Sequence, residues 1–310
     1  MTRAGTAALL GRPNAGKSTL LNALLGEKVA IVSDKPQTTR HRIAGVLTES
    51  RGQAVLFDLP GVHRPLHRLN VQMMHVLRDS LAEVDLVLLL FDAGQEPGHG
   101  EEFVVSLVEH CEAPVLLVPN KLDLADARRN LDRRVAFYTA KREFAAVVPV
   151  SAKAGNGLDE LRRVLFERLP EGEALLDPGY TTTQSERFFV AELIREALLE
   201  RVEQELPFTS AVVIRQFEEH EGDERSLLKI WADILVDRES QKGIVVGRGG
   251  SMIKEVGTAA RKRIETLLGA KVYLDLRVKA RPGWREDPRV LKDLEPIEAV
   301  LDPAGDDEPQ

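Results

Sequence analysis

Gly11-Arg12-Pro13-Asn14-Ala15-Gly16-Lys17-Ser18 decides the fold of this chain. The stretch follows a short apolar run at 7–10 and opens onto residues 19–25, which read as a helix. That is the strand–loop–helix setting a phosphate-binding loop requires. Glycines at both ends let the backbone curl with its N–H groups inward, and the helix N-terminus adds partial positive charge at the same place. All eight residues are therefore assigned to nucleotide binding. Lys17 would reach the β- and γ-phosphates, and Ser18 would hold Mg²⁺ through its hydroxyl. A glycine-rich turn that merely links strand to helix is the bland alternative, and the context disfavours it.

Working outward, three apolar runs end in polar groups. Residues 54–57 lead into Asp58-Leu59-Pro60-Gly61, 115–118 into Pro119-Asn120-Lys121-Leu122-Asp123, and 147–150 into Ser151-Ala152-Lys153. Polar residues at the C-terminal ends of strands are where an open parallel sheet binds ligands. Asp58 has the position of a carboxylate near Mg²⁺, acting through water, with Leu59, Pro60 and Val62 lining the same turn. Gly61 would offer its N–H to the γ-phosphate. Asp123 selects the base: a fixed carboxylate accepts two hydrogen bonds from the guanine ring N–H and amine, whereas adenine leaves it unpaired. Asn120 and Lys121 brace that loop, Ser151 accompanies it, and the Ala152 N–H can meet the guanine oxygen. The ligand is GTP, with GDP as product.

Between the loop and Asp58 lies Val32-Ser33-Asp34-Lys35-Pro36-Gln37-Thr38-Thr39-Arg40-His41-Arg42. A threonine hydroxyl here would complete the Mg²⁺ shell only when γ-phosphate is present, making a switch. The spacing leaves Thr38 and Thr39 equally eligible. Val62 stands where Ras-type enzymes carry a water-orienting glutamine, so slow intrinsic turnover is expected. His63 and His67 read as solvated switch residues rather than a metal site.

The chain of 310 residues carries a net charge of −7 and 43% hydrophobic residues, enough for a core in each of two domains. One cysteine, Cys111, suits a reducing, cytoplasmic setting. No apolar run approaches the ~18 to 20 residues of a membrane span. The average charge hides a pattern. Residues 238–289 hold 13 Lys/Arg against 6 Asp/Glu, whereas 186–237 hold 6 against 13 and 290–310 hold 1 against 7.

The basic block contains Gly247-Arg248-Gly249-Gly250. Around it the pattern reads helix (186–206), strand (209–217), strand (226–236), helix, loop, helix and strand (272–278). The helix that follows the loop buries Ile253, Val256, Ala260, Ile264, Leu267 and Leu268. That order is the bacterial-type KH arrangement. A Gly-x-x-Gly loop lets a sugar–phosphate backbone come close, clamping about four nucleotides. Gly247, Arg248, Gly249, Gly250, Lys254 and Arg261 are thus assigned to single-stranded RNA, with salt-dependent affinity from the cations. The expected fold class is α/β: a P-loop GTPase domain with a mostly parallel sheet and helices on both faces, then an α+β type II KH domain. Boundaries are drawn at 1–172, a 173–185 linker, 186–294, and an acidic, disordered tail at 295–310.

These motifs, with Pro-Gln-Thr-Thr-Arg-His-Arg at 36–42, Asp-Leu-Pro-Gly-Val-His at 58–63 and Ser-Glu-Arg-Phe-Phe-Val-Ala-Glu-Leu-Ile-Arg-Glu at 185–196, resemble the Era family of translation-factor-like GTPases. The resemblance covers residues 4–294. It implies that Thr39 is the Mg²⁺ ligand, so that Lys17, Thr39 and Gly61 carry catalysis, and that Asn14 helps bind a K⁺ ion beside the phosphates. It implies binding to the 3′ end of 16S ribosomal RNA, a role in 30S subunit assembly and ribosome biogenesis, a monomeric state, and association with the inner membrane surface. No amphipathic anchor supports the last point. Two other functions fit parts of the pattern: an RNA-binding protein that keeps GTP as a structural ligand, and an RNA-modification GTPase.

Overall fold

The computed structural model describes residues 2–35, 37–62, 68–109, 111–220 and 227–295. His63, His67, residues 221–226 (including the start of the strand foreseen at 226–236) and the tail from 296 onward lie outside the described residues.

The first sheet is assembled from β1 (Arg3–Leu10), β2 (Ile43–Glu49), β3 (Gly52–Asp58), β4 (Leu86–Asp92), β5 (Val115–Asn120) and β6 (Ala146–Val147). Their spatial order is β2-β3-β1-β4-β5-β6. All pairings are parallel except β2 with β3. The helices are α1 (Lys17–Leu25), α2 (Arg68–Glu83), α3 (His99–Val108), α4 (Ala125–Arg129), α5 (Leu131–Thr139) and α6 (Leu158–Arg168). Strand residues alternate between two apolar layers, as the pleat dictates. Leu9, Leu56, Leu88 and Leu90 pack with α1 and α6, through Leu20, Leu24, Leu161 and Leu165. Leu10, Phe57, Val87 and Leu89 face α2, α3 and α5, through Leu77, Leu81, Val104 and Tyr138. Both faces of this sheet are therefore covered, which explains strands apolar at nearly every position.

The second sheet has the order β7-β8-β9, from β7 (Ala211–His220), β8 (Leu227–Val236) and β9 (Lys271–Ala280), with β7/β8 antiparallel and β8/β9 parallel. Helices α7 (Glu186–Leu199), α8 (Leu206–Thr209), α9 (Glu239–Val246), α10 (Ser251–Leu268) and α11 (Pro288–Leu294) complete this half. Val190, Ile194 and Leu198 of α7, with Val256, Ala260 and Ile264 of α10, bury against Ile230, Ile234 and Val272.

Four expectations need correction. Strand β2 went unread. The run at 147–150 is a strand only at its start, although Val148 and Val150 N–H still bond to Leu117 and Pro119. The helix foreseen over 186–206 stops at Leu199: Gln204 adopts φ 55°, and Pro207, which lacks an N–H, sits in the first turn of the next short helix. Leu267 is 41% exposed rather than in the core. The segment read as a linker is also tied down. Thr181 accepts from Val46 N–H, Thr182 donates to Ala44, and the Gln53 side chain bonds both polar groups of Leu176.

Candidate nucleotide site and nucleic-acid interface

Between β1 and α1 the phosphate loop turns sharply. Gly16 has φ 96°, and a Cβ there would lie 2.3 Å from Asn120 Nδ2, so only glycine satisfies both the conformation and the approach. Lys17 is 6% exposed, and its Nζ donates to the Gly11 and Arg12 carbonyls, 3.1 Å each. Burial pushes its ammonium below the ordinary lysine value, and the charge of Asp58 opposes that shift. Ala15 is buried, Pro13 faces Gly61 across the cleft, and Asn14 Nδ2 donates to the Asp34 carbonyl at 2.8 Å. Arg12 leaves the loop and pairs with Glu101 of α3 at 2.9 Å.

The structure separates the two threonines. Thr39 Oγ1 lies 3.0 Å from both Ser18 Oγ and Asp58 Oδ2, and Ser18 Oγ is 2.5 Å from the same carboxylate oxygen. Thr38 Oγ1 instead donates to the Lys35 carbonyl. Asp58 is fully buried, and its Oδ1 is left without a hydrogen-bond partner. Burial raises this carboxyl above the usual range, while Lys17, Ser18 and Thr39 pull it back. Two hydroxyls converging on a buried carboxylate with an unsatisfied oxygen form a hard, oxygen-only donor set that fits Mg²⁺. Leu59, Pro60 and Val62 are buried, and Val62 at 3% exposure packs among apolar residues. Its side chain is therefore a core contact as well as a missing glutamine.

At the other end of the cleft Asn120, 2% exposed, staples three segments. Its Nδ2 donates to the Ala15 carbonyl (2.9 Å), and its Oδ1 accepts from the N–H groups of Lys121 (2.7 Å) and Ala152 (3.0 Å). Lys121 sits at φ 68° and pairs with Asp92 at 2.8 Å. Ser151 Oγ donates to Asp123 Oδ1 at 2.6 Å. That hydrogen bond holds the Asp123 carboxyl below its ordinary value, keeping it an acceptor. Asp92 was not foreseen, although it follows the apolar strand β4 in the same way that Asp58 follows β3.

The Gly247–Gly250 turn joins α9 to α10, as the KH pattern predicts. Gly247 has φ 74°, and a Cβ on it would come within 2.8 Å of the Met252 nitrogen. Gly249 faces open space, leaving room for a close backbone approach. Arg248, Lys254 and Arg261 are exposed, the last two being seven residues apart on one face of α10. Arg263, part of the same basic run, turns inward to Glu196 of α7 (3.2 Å) and to Glu200 just beyond its C-terminus (2.6 Å).

Sequence reasoning missed how the two halves meet. Arg40 donates to the Pro207 and Ser210 carbonyls, 2.8 Å each, and lies over the Trp284 ring. Leu69 and Met73 of α2 pack with Ala211, Val213, Trp284, Val290 and Leu291. Both stretches around the phosphate cleft thus rest on the second half of the chain. The motif at 36–42 was the only available signal.

Comparison with known proteins follows the same division. A family model described as 50S ribosome-binding GTPase matches residues 6–121, and a KH-domain model matches 205–285. GTPase Era of Heliobacterium modesticaldum is 44% identical over 290 residues, 94% of this chain and 96% of the relative. GTPase Era of Geobacter metallireducens is 44% identical over 292 residues, 94% and 97% of the two chains. A solved structure of Era in complex with MgGDPNP and nucleotides 1506–1542 of 16S ribosomal RNA superposes with a TM-score of 0.89 at 35% identity, covering 95% of this chain and 99% of that one. A single-residue variant of Aquifex aeolicus Era bound to GDP·AlF4⁻ gives 0.88 at 35% identity, covering 94% and 99%.

Proposed function

The chain belongs to the Era family of GTPases, and from that membership we propose that it is a GTP-driven switch that binds the 3′ end of 16S ribosomal RNA and assists 30S subunit maturation. The observation that carries this reading is that one solved fold, Era with a GTP analogue and a 16S fragment, runs through 95% of the chain and both candidate sites. Lys17 contacts the β- and γ-phosphates. Ser18 and Thr39 hold Mg²⁺ directly and Asp58 holds it through water. The Gly61 N–H meets the γ-phosphate, and Asp123 with Ala152 reads guanine. Bound by those residues, Mg²⁺ would supply positive charge against the negative charge that develops on phosphoryl transfer.

Val62 cannot orient water, so intrinsic turnover is slow; a K⁺ ion held by Asn14 beside the phosphates would supply charge of the kind an arginine finger supplies elsewhere, and bound RNA is the other candidate activator. On the RNA side the Gly247–Gly250 turn clamps the backbone, while Arg248, Lys254 and Arg261 add charge-dependent affinity. Among the described residues no helix is long and apolar enough to cross a membrane.

The test is multiple-turnover phosphate release with GTP or ATP, in KCl or NaCl, with a 16S 3′-terminal oligonucleotide or a scrambled one. GTP-specific release raised by KCl, together with preferential binding of the 16S oligonucleotide, is the expected result. Equal use of ATP refutes the Asp123 assignment, and equal binding of the scrambled RNA refutes the ribosomal one.

A further inference from the structure

The segment that carries Thr39 is held at both ends from outside the nucleotide sheet, and the holder is α7. At the near end the Val32 N–H donates to Glu196 Oε1 at 3.0 Å, and Lys28 pairs with Glu196 Oε2 at 2.5 Å. At the far end the Arg195 guanidinium donates to the Thr38 carbonyl. Arg195 is aligned for this by two hydrogen bonds to Glu192, 2.7 and 2.6 Å. Arg195 and Glu196 are each 3% exposed, so the two groups that bond the segment's main chain are buried, although Lys28 itself is partly exposed.

The Thr38 carbonyl belongs to the same planar peptide as the Thr39 nitrogen. Fixing that carbonyl therefore fixes where the Thr39 backbone starts. The hydroxyl it carries has to stay within about 3 Å of Ser18 and Asp58 to serve them both. Burying an arginine costs free energy unless it is paired. Glu192 offsets that cost by accepting from Nε and Nη2, and Nη2 also donates to a main-chain carbonyl of the nucleotide half, while Nη1 stays buried without a hydrogen-bond partner.

We propose that Arg195 and Glu196 are positioning residues of the GTPase centre: the RNA-binding half clamps the two ends of segment 32–39 and thereby sets Thr39 against Ser18 and Asp58. The inference rests on Thr39 being the Mg²⁺-facing hydroxyl. It makes the nucleotide half alone an incomplete enzyme. It also separates two kinds of ligand: GTP, whose binding uses Thr39, should sense the clamp, and GDP should not.

The experiment compares full-length Arg195→Lys, Arg195→Gln, Glu196→Gln and Thr39→Ala with the parent protein. It measures kcat and KM for GTP, the Mg²⁺ concentration giving half-maximal rate, and equilibrium affinities for a fluorescent non-hydrolysable GTP analogue and for fluorescent GDP. Misplacing a reacting group by about 1 Å costs up to ~10²-fold, so Arg195→Gln is expected to lower kcat by about tenfold or more. The Mg²⁺ requirement should rise, the GTP-analogue affinity should fall, and GDP affinity should stay within about twofold of the parent. Arg195→Lys retains a donor and should recover part of the loss. Glu196→Gln guards against simple unfolding, because its partners Lys28 and Arg263 remain partly exposed to water. It should reproduce the same selective loss in weaker form.

Equal losses of GTP-analogue and GDP affinity, or an unchanged kcat in the Arg195 and Glu196 variants while Thr39→Ala is impaired, overturn the proposal. An unimpaired Thr39→Ala refutes the Mg²⁺ assignment on which it stands.

Discussion

Replacing Asn120 by alanine tests the physical core of the site, because its amide joins three loops that no other described side chain joins. The amide is buried and makes three hydrogen bonds, to the Ala15 carbonyl and to the Lys121 and Ala152 N–H groups. Each is worth about 1 kcal/mol net, and a buried partner left unsatisfied costs about 1–3 kcal/mol. Lys121 would also lose a restraint on a left-handed backbone, a conformation costing about 1–3 kcal/mol in a non-glycine residue. The expected loss is therefore about 3–5 kcal/mol, a large fraction of a typical folding free energy of ~5–15 kcal/mol. Urea unfolding of the nucleotide-free protein reads the loss directly, through a lower midpoint at constant slope. GDP affinity should fall as well, since Asp123 is carried on the same loop. A variant whose unfolding free energy stays within about 1 kcal/mol of the parent, with nucleotide affinity alone reduced, refutes the staple and makes Asn120 a ligand contact only.

Three further outcomes follow from the geometry. Val62→Gln forces an amide into an apolar layer at a cost of about 1–3 kcal/mol; calorimetry should show a lower melting temperature, and intrinsic GTP hydrolysis should not accelerate strongly. Arg248→Ala and Lys254→Ala should each weaken single-stranded RNA binding and reduce the slope of log affinity against log salt by about 0.7, measured by fluorescence anisotropy across a KCl series. His41, beside Phe188, is pushed down to about 4 by burial, with Arg195 and Arg40 adding repulsion and Glu192 opposing. The unfolded chain then binds the extra proton between pH 6.5 and about 4, so stability is complete above 6.5 and falls with acidification, by at most roughly 3 kcal/mol. A His41→Gln variant should flatten that part of the stability–pH curve.

What could be read from the residues alone follows a physical line. The phosphate loop, the Asp58 turn, the Asn120–Asp123 loop and the Gly247–Gly250 turn are local: each places its chemistry within a few residues of a strand or helix end, and each was legible. Strand β2 was not, because it begins directly after a polar stretch and pairs antiparallel in a sheet otherwise parallel. The choice between Thr38 and Thr39 was closed to any local argument, since what separates them is the distance to Ser18 and Asp58 across the fold. Arg40, Glu192, Arg195 and Glu196 were illegible for the same reason. Arg40, Arg195 and Glu196 each bond to a residue more than 150 positions away, Glu192 acts through Arg195, and nothing in the spacing of a charged helix says which of its faces will be buried against another part of the chain. The same blindness let the helical pattern run on to residue 206, past the turn that brings Val202 and Leu206 into the core.

The strap formed by Thr181 and Thr182 along β2 has a practical meaning for anyone dissecting the molecule. Strand β2 is the outermost strand on its side of the sheet, and the strap occupies part of its open flank. A fragment cut at residue 172 would leave those main-chain groups bare, ready to stitch to the same flank of a second fragment. A cut after residue 184 would keep them sheathed, so biochemistry done on the shorter piece would report on a self-associating species.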